Sequence, residues 1–430
     1  MLGQKILRQG RSYDKPLNVT PPISNYLAHN VDFLGYHDLQ GKPAFKLALQ
    51  ELNGRWYLYM AHLWHRGWSI LDVTDPTAPE YVRFVPGPEN TWTIQIQVAD
   101  GKMITALERI APGWGGAEDK PFSEGFLIWD VSDPKNPKQL GHYRTNSTGT
   151  HRNFYDGGSL VHAAGGAPGF DGKIYHVVDI SDPSKPKQIS YFALDEQKKD
   201  APKLKQSGAK LSLHGPAHIE SNRAYLSYGD GDGIILDVSD INAPRIVSQI
   251  AFQGLCSRQG IHTYLPLPRR KLALINDEAI NENGDENLNL AGIIDIADEK
   301  QPRLISLFPL PLPPPESGLK NFYEKGGRFG PHNQHHPNHQ PCLEDRDDLA
   351  YLTYFNAGLR VYDIRDARMP KEIAYFIPPD PPTRIGTKPS KLVPQVEDVL
   401  VDRRGCTYIS EKNHGIFILR LKQVWPYVSS

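Results

Sequence analysis

The sequence predicts an all-β fold, a single seven-bladed β-propeller whose ring is closed by an N-terminal strand. Three observations predict it. A ten-residue unit recurs along the chain at near-regular spacing, the signature of a propeller or solenoid. The 37 glycines and 37 prolines among 430 residues favour many short strands and tight turns over long helices. A segment near the N-terminus looks like the strand that the last unit lacks.

The units are ILDVTDPTAP at 70–79, IWDVSDPKNP at 128–137, VVDISDPSKP at 177–186, ILDVSDINAP at 235–244, IIDIADEKQP at 293–302 and VYDIRDARMP at 361–370. Their first aspartates, Asp72, Asp130, Asp179, Asp237, Asp295 and Asp363, lie 49 to 68 residues apart. A weaker seventh copy, GIFILRL at 415–421, has lost the aspartate. In each unit an apolar, β-branched run ends at the aspartate and an Asp/Pro turn follows. A short strand such as PKQISYF comes next. A further strand ends in a turn such as Ser221-Asn222 or Arg269-Arg270, and a last one reads AYLSY or LALIN. That makes four strands per unit, one blade. The final unit runs out of chain before its outer strand. The segment VDFLGYHDL at 31–39 matches the outer-strand segment PKQLGHYRT, so it completes blade seven. The domain parse is therefore one propeller: an arm at 1–30, the closing strand at 31–39, and blades over about 40–421.

The formal net charge of -1 and pI near 7.0 give nucleic acid or an anionic membrane no electrostatic hold. The expected partner is a small-molecule substrate, and the oligomeric state is left open. The first residues contain no apolar stretch, and three cysteines are too few for a disulfide framework, so a cytoplasmic location is expected.

Counting back along the innermost strand of each blade from its turn gives the functional signal. His214 lies eight residues before Asn222, His262 eight before Arg270 and His151 seven before Gly158. The GPH ending at His332 matches the GIH ending at His262 and adds blade six; His335 or His336 could take its place. The same count reaches Glu397 on blade seven, and Lys46 and Thr93 on blades one and two. A single histidine at a strand start is ordinarily a polar channel residue. Four in register on consecutive blades lie at one height around the axis and can meet one divalent ion, with Glu397 orienting a ligand from outside.

The ends of the next strands add a rim of ionisable groups. His65, Glu108, Arg109 and Glu411 are the candidates for catalysis there. His162 and Glu278 belong to the same series, whereas Asp232 and Lys412 read as solvated charges. Long insertions at 110–124, 279–290 and 309–331 exceed what hairpins need and are placed near this face. Trp64, Trp68, Trp92 and Trp114 would suit an aromatic or apolar molecule. GDGDG at 229–233 reads as a hairpin turn. No serine elbow, phosphate loop or CxxC pair is present.

The repeated D-V/I-S/T-D-P-x-x-P unit resembles the LVIVD-repeat family of bacterial β-propellers over roughly 31–421. That resemblance implies the fold and leaves the activity open. The histidine layout is similar in architecture, with no shared sequence motif, to the carotenoid cleavage oxygenases, which hold iron with four histidines and supporting carboxylates. The similarity implies Fe(II) on His151, His214, His262 and His332, and dioxygen chemistry. Imidazole also suits Zn, Mn or Cu, which keeps a metal-dependent lyase or hydrolase open. A non-catalytic interaction scaffold is the third expectation.

Overall fold

The computed structural model describes residues 24–202, 211–252 and 260–422 together with Trp425. The first part of the N-terminal arm, Cys256 and the end of the lysine-rich stretch before residue 211 lie outside it. The described residues form seven antiparallel sheets, six of four strands and one of five, arranged as a seven-bladed β-propeller. No helix among them is long and apolar enough to cross a membrane.

The repeat unit has one structural meaning throughout. Its apolar run is the third strand of a blade, and that strand ends at the first aspartate: Gly67–Asp72, Gly125–Asp130, Lys173–Asp179, Gly233–Asp237, Ala291–Asp295 and Leu359–Asp363. The carboxylate then accepts the backbone N–H two residues on, for example Ser181 to Asp179 at 2.8 Å and Ser239 to Asp237 at 2.9 Å. The second aspartate does the same, as Ser184 does to Asp182 at 3.0 Å. These local bonds satisfy the turn's donors without a sheet partner, which is why aspartate recurs there.

A blade is apolar on both faces and cannot bury them alone. The core of the described residues accordingly has one cluster at each of the seven junctions between neighbouring blades, and an eighth formed by Phe45, Leu63, Trp92 and Ile94. Blade seven is the N-terminal strand Val31–His37 beside Gly415–Leu421, Cys406–Glu411 and Val396–Val401, with Val31 opposite Leu421. The likeness between LGYH and LGHY in the sequence has a packing cause. A Cβ on Gly35 would stand 2.2 Å from the Pro76 carbonyl oxygen, and one on Gly141 1.8 Å from that of Pro183. Both outer strands press a glycine against the Asp/Pro turn of the next blade. Closure reaches further than the sequence implies, because Leu27–His29 adds an outer strand to blade six, against Lys371–Ile377. The arm expected at 1–30 thus ends inside the sheet structure. The GDGDG segment is a tight turn, with the Tyr228 N–H on the Asp232 carbonyl at 2.9 Å.

Candidate metal centre at the channel mouth

Three inner strands carry one more residue than the strand they pair with. The register skips His151 between Thr150 and Arg152, His262 between Ile261 and Thr263, and Glu397 between Val396 and Asp398. A β-bulge re-aims the side chain of its extra residue, and here all three re-aimed side chains enter the channel mouth. His214 precedes the strand His218–Glu220 and His332 an isolated bridge at Gln334, yet their N–H groups hold the same ladder, donating to Ser227 at 3.0 Å and Thr353 at 2.9 Å. Gly215 follows His214 because a Cβ there would lie 1.7 Å from the His262 carbonyl oxygen.

The four imidazoles form an arc. Ring centroids are 4.7 Å apart for His151 and His214, 5.2 Å for His214 and His262, and 4.7 Å for His262 and His332. His335 is elsewhere: its Nε2 donates to Glu344 at 2.8 Å and its Nδ1 accepts from Val401 at 3.1 Å. His336 packs at a tilt against His218, 4.7 Å away, further along the channel.

Carboxylates thread the arc. Oε2 of Glu278 lies 2.7 Å from Nε2 of His214 and 3.8 Å from Nε2 of His262, and its Oε1 is 3.5 Å from Nε2 of His332. Glu397 stands 3.2 Å from the other nitrogen of His332, and Glu108 2.5 Å from Nδ1 of His151. Thr263 Oγ1 lies 2.9 Å from Nδ1 of His262. Arg328 bridges Glu278 at 3.1 Å and Glu397 at 2.8 Å, and Lys412 adds a contact to Glu397 at 2.5 Å. The Arg328 guanidinium lies 3.7 Å over Phe355, whose ring stacks on His332 at 4.7 Å. Phe355 holds a left-handed backbone, φ 43°, a strain that side-chain packing must sustain.

Burial pulls the pKa values of His151, His214 and His262 below the ordinary range, so their rings are neutral. Burial alone would raise Glu278 and Glu397. His332 and the hydrogen bond from His214 outweigh it at Glu278, Lys412 and Arg328 at Glu397, and both carboxyls lie low and ionised. Neutral imidazole nitrogens beside an ionised carboxylate make a donor set for a divalent ion. His214, His262 and Glu278 can each bring one donor atom within 4.8 Å of the others. The fit also leaves a mark: among the described residues, Nε2 of His262 and Nδ1 of His214 are buried without a hydrogen-bond partner.

A cavity of about 580 Å³ opens over the cluster. One wall is apolar, with Phe45, Leu63, Trp92, Ile94 and Trp114; the other carries Glu108, His151, Arg152, Lys173, His214, Glu278 and Arg328. The insertions shape it, contributing Ala111, Pro112 and Trp114, then Ile280, then Arg328. Trp64 stacks behind Trp114 at 6.0 Å, while Trp68 packs between blades against Trp129. A larger depression of about 1170 Å³ lies among His335, His339, Arg269 and Arg346. Its arginines are already neutralised, Arg269 by Asp345 at 2.7 Å and Arg346 by Asp348 at 2.7 Å, so the smaller cavity is where unsatisfied chemistry gathers.

Of the rim candidates, only Glu108 joins the cluster. Arg109 is the next residue along the same strand and so points the other way; it is exposed, over Phe122. His65 is exposed against Phe84. Glu411 is buried but spends its carboxylate on the N–H groups of Gln395, Asn413 and His414 at 2.6, 2.8 and 2.6 Å. His162 begins its strand at the opposite end, bonded to the Tyr175 hydroxyl at 2.6 Å. Lys412, expected in solvent, is buried. Arg152, Lys173 and Arg328 carry no repeat signal and emerge only from the fold.

The sequence profile of the LVIVD repeat matches residues 171–192. The chain carries an LVIVD repeat. In the structure that LVIVD repeat is the outer half of blade three, Lys173–Asp179 and Lys187–Phe192 joined by the Asp/Pro turn. Among solved structures, the periplasmic gluconolactonase PpgL of Pseudomonas aeruginosa aligns with a TM-score of 0.51, at 9% identity, over 91% of this chain and 99% of that chain. The likeness shows a common fold. No curated protein sequence matches the chain.

Proposed function

We propose that the protein is a metal-dependent enzyme acting on a small organic molecule at the channel mouth, with Fe(II) as the ion and oxygenation as the reaction. The observation that supports this reading most is the convergence of three imidazole nitrogens on the Glu278 carboxylate beneath a half-apolar cavity. Two histidines and one carboxylate with positions left open are the ligand set of non-haem Fe(II) oxygenases. His214, His262 and Glu278 would hold the ion, with His151 and His332 beside them. Such an ion supplies Lewis acidity and, as iron, a place for dioxygen. The chain supplies the rest. Glu108, Thr263 and Glu397 fix ring orientation and tautomer through one ring nitrogen each of His151, His262 and His332. Arg328 holds Glu278 in place through its contact at 3.1 Å. Phe45, Trp92 and Trp114 exclude water from one side of the bound molecule.

A metal-dependent hydrolase or lyase is the second reading, since two histidines and a glutamate also hold catalytic zinc. The Glu108–His151 pair, at 2.5 Å and beside the cavity, favours it, because it can accept a proton from water or substrate. The gluconolactonase named above is consistent with it. The deciding experiment is metal analysis of the purified protein combined with oxygen uptake in the presence of small aromatic and lactone compounds. Iron with substrate-dependent oxygen consumption supports the first reading. Zinc or manganese with hydrolysis or elimination and no oxygen consumption selects the second. No metal retained after incubation with Fe(II), Zn(II) and Mn(II) discards both and leaves a scaffold.

A further inference from the structure

Among the described residues, the charges around the channel mouth pair off with one exception. Lys173 meets Glu108 at 3.2 Å, Lys46 meets Asp398 at 2.6 Å, and Arg328 and Lys412 together meet Glu278 and Glu397. Arg152 forms no ion pair among the described residues, although Glu278, Asp398, Glu108 and Glu397 lie near enough to act on its charge. Its side chain is almost wholly buried at 1% exposure, and its Nε and Nη1 atoms have no hydrogen-bond partner. It lies on the cavity lining, with its guanidinium 5.1 Å over the ring of Phe45 on the apolar wall. A guanidinium is charged at any physiological pH, and a buried charge without a partner is costly. The protein keeps this guanidinium without a direct hydrogen-bonded partner on Nε or Nη1, at the seam between the cavity's apolar and polar walls.

We infer that Arg152 is the carboxylate receptor of the cavity, and that the substrate class is a small organic acid with an aromatic or apolar body. A guanidinium N–H makes a strong, charge-assisted hydrogen bond to a carboxylate. A carboxylate there restores charge balance, and its apolar body falls naturally between Phe45 and Trp92. The cavity volume of about 580 Å³ suits a molecule of that size. The inference takes this cavity as the substrate site and so rests on the reading above. It concerns what is bound, not what the ion does.

The test is a titration of phenylacetate and its neutral isostere phenylacetamide, followed by tryptophan fluorescence and calorimetry. It is run on protein treated with chelator and on protein loaded with Fe(II). Phenylacetate is expected to bind at least about tenfold more tightly than the amide, with or without metal, since hydrogen bonds to charged groups carry that much. Arg152→Gln should abolish the preference by weakening the acid about 10–100-fold while leaving the amide unchanged. Arg152→Lys, which keeps the buried charge but loses the planar guanidinium and its placed donors, serves if the glutamine variant fails to fold; it should reduce the preference in folded protein. Equal binding of acid and amide overturns the inference. So does an acid preference that appears only with metal and survives both substitutions, because the ion would then be the receptor and Arg152 a counter-charge. Protein that binds no metal yet prefers the acid through Arg152 removes the metalloenzyme reading and leaves this inference standing.

Discussion

Arg328 holds two buried carboxylates together, and its loss would leave Glu278 and Glu397 charged, buried and facing one another. Arg328→Ala should therefore destabilise the fold by about 3–5 kcal/mol, read as a shifted denaturant midpoint; a shift within error would show that Lys412 alone balances the pair. The ligand assignment makes a separate prediction. His214→Ala, His262→Ala and Glu278→Gln should each lower metal content while the β-sheet circular dichroism stays unchanged. His335→Ala should leave metal content intact, because both its ring nitrogens already bond backbone groups. Equal losses from all four variants would disconnect the arc from metal binding. The histidines and Glu397 were legible in the sequence because inner strands share a length, so a count from the turn reaches a common height. Glu278 was only one acid among many at strand ends, and no pattern set it apart. Lys412 read as solvated because a lone lysine gives no hint that Glu397, Trp64 and Trp114 will close around it.

Within single elements, the strand entering blade four depends on the missing side chain at Gly215. Gly215→Ala should push the His214 strand off the His262 strand, lowering melting temperature and metal content together; an unaltered variant would mean that the approach relaxes at no cost. The repeated Asp turns set an acid limit. The carboxyls of Asp130, Asp179 and Asp237 sit below their ordinary values, each because it accepts hydrogen bonds from the serine two residues on. Their folded pKa values are thus lower than the unfolded value of about 3.9. The stability they contribute is complete above that pH and drains away as the pH falls through the folded values. Melting temperature should be flat near neutrality and fall below about pH 4, with a shallower fall in an Asp179→Asn/Asp237→Asn variant. An identical acid slope in that variant would place the effect elsewhere. These turns were fully legible, since aspartate and proline fix a turn through local bonds alone. The bulges under His151, His262 and Glu397 were not, because an extra residue in one strand is defined only against its partner.

For the molecule as a whole, the ring is shut by two short strands near residue 30, one on blade six and one on blade seven. Deleting residues 1–40 should expose the apolar cluster that joins blade seven to its neighbours and sharply lower the melting temperature. A synthetic 24–40 peptide added in trans should restore part of it by strand addition. An unchanged melting temperature in the truncation would show that seven blades hold without this closure. The fold was readable at this scale because repetition averages over local ambiguity: six copies of one turn outvote any single strand. The strand on blade six was not readable, since three residues, LAH, carry no periodicity.

Because Val31 lies opposite Leu421 in an antiparallel pair, the two strands that shut the ring enter and leave at the same corner. Tension applied between the ends of the propeller therefore falls on one hydrogen bond at a time, as in a zipper, and never shears the whole ladder at once. Under an optical trap, the stretch from Leu27 to His37 should peel away first at low force, and the remaining blades should yield only afterwards and at higher load. The same feature that makes the resting ring edgeless makes its seam the point of mechanical release.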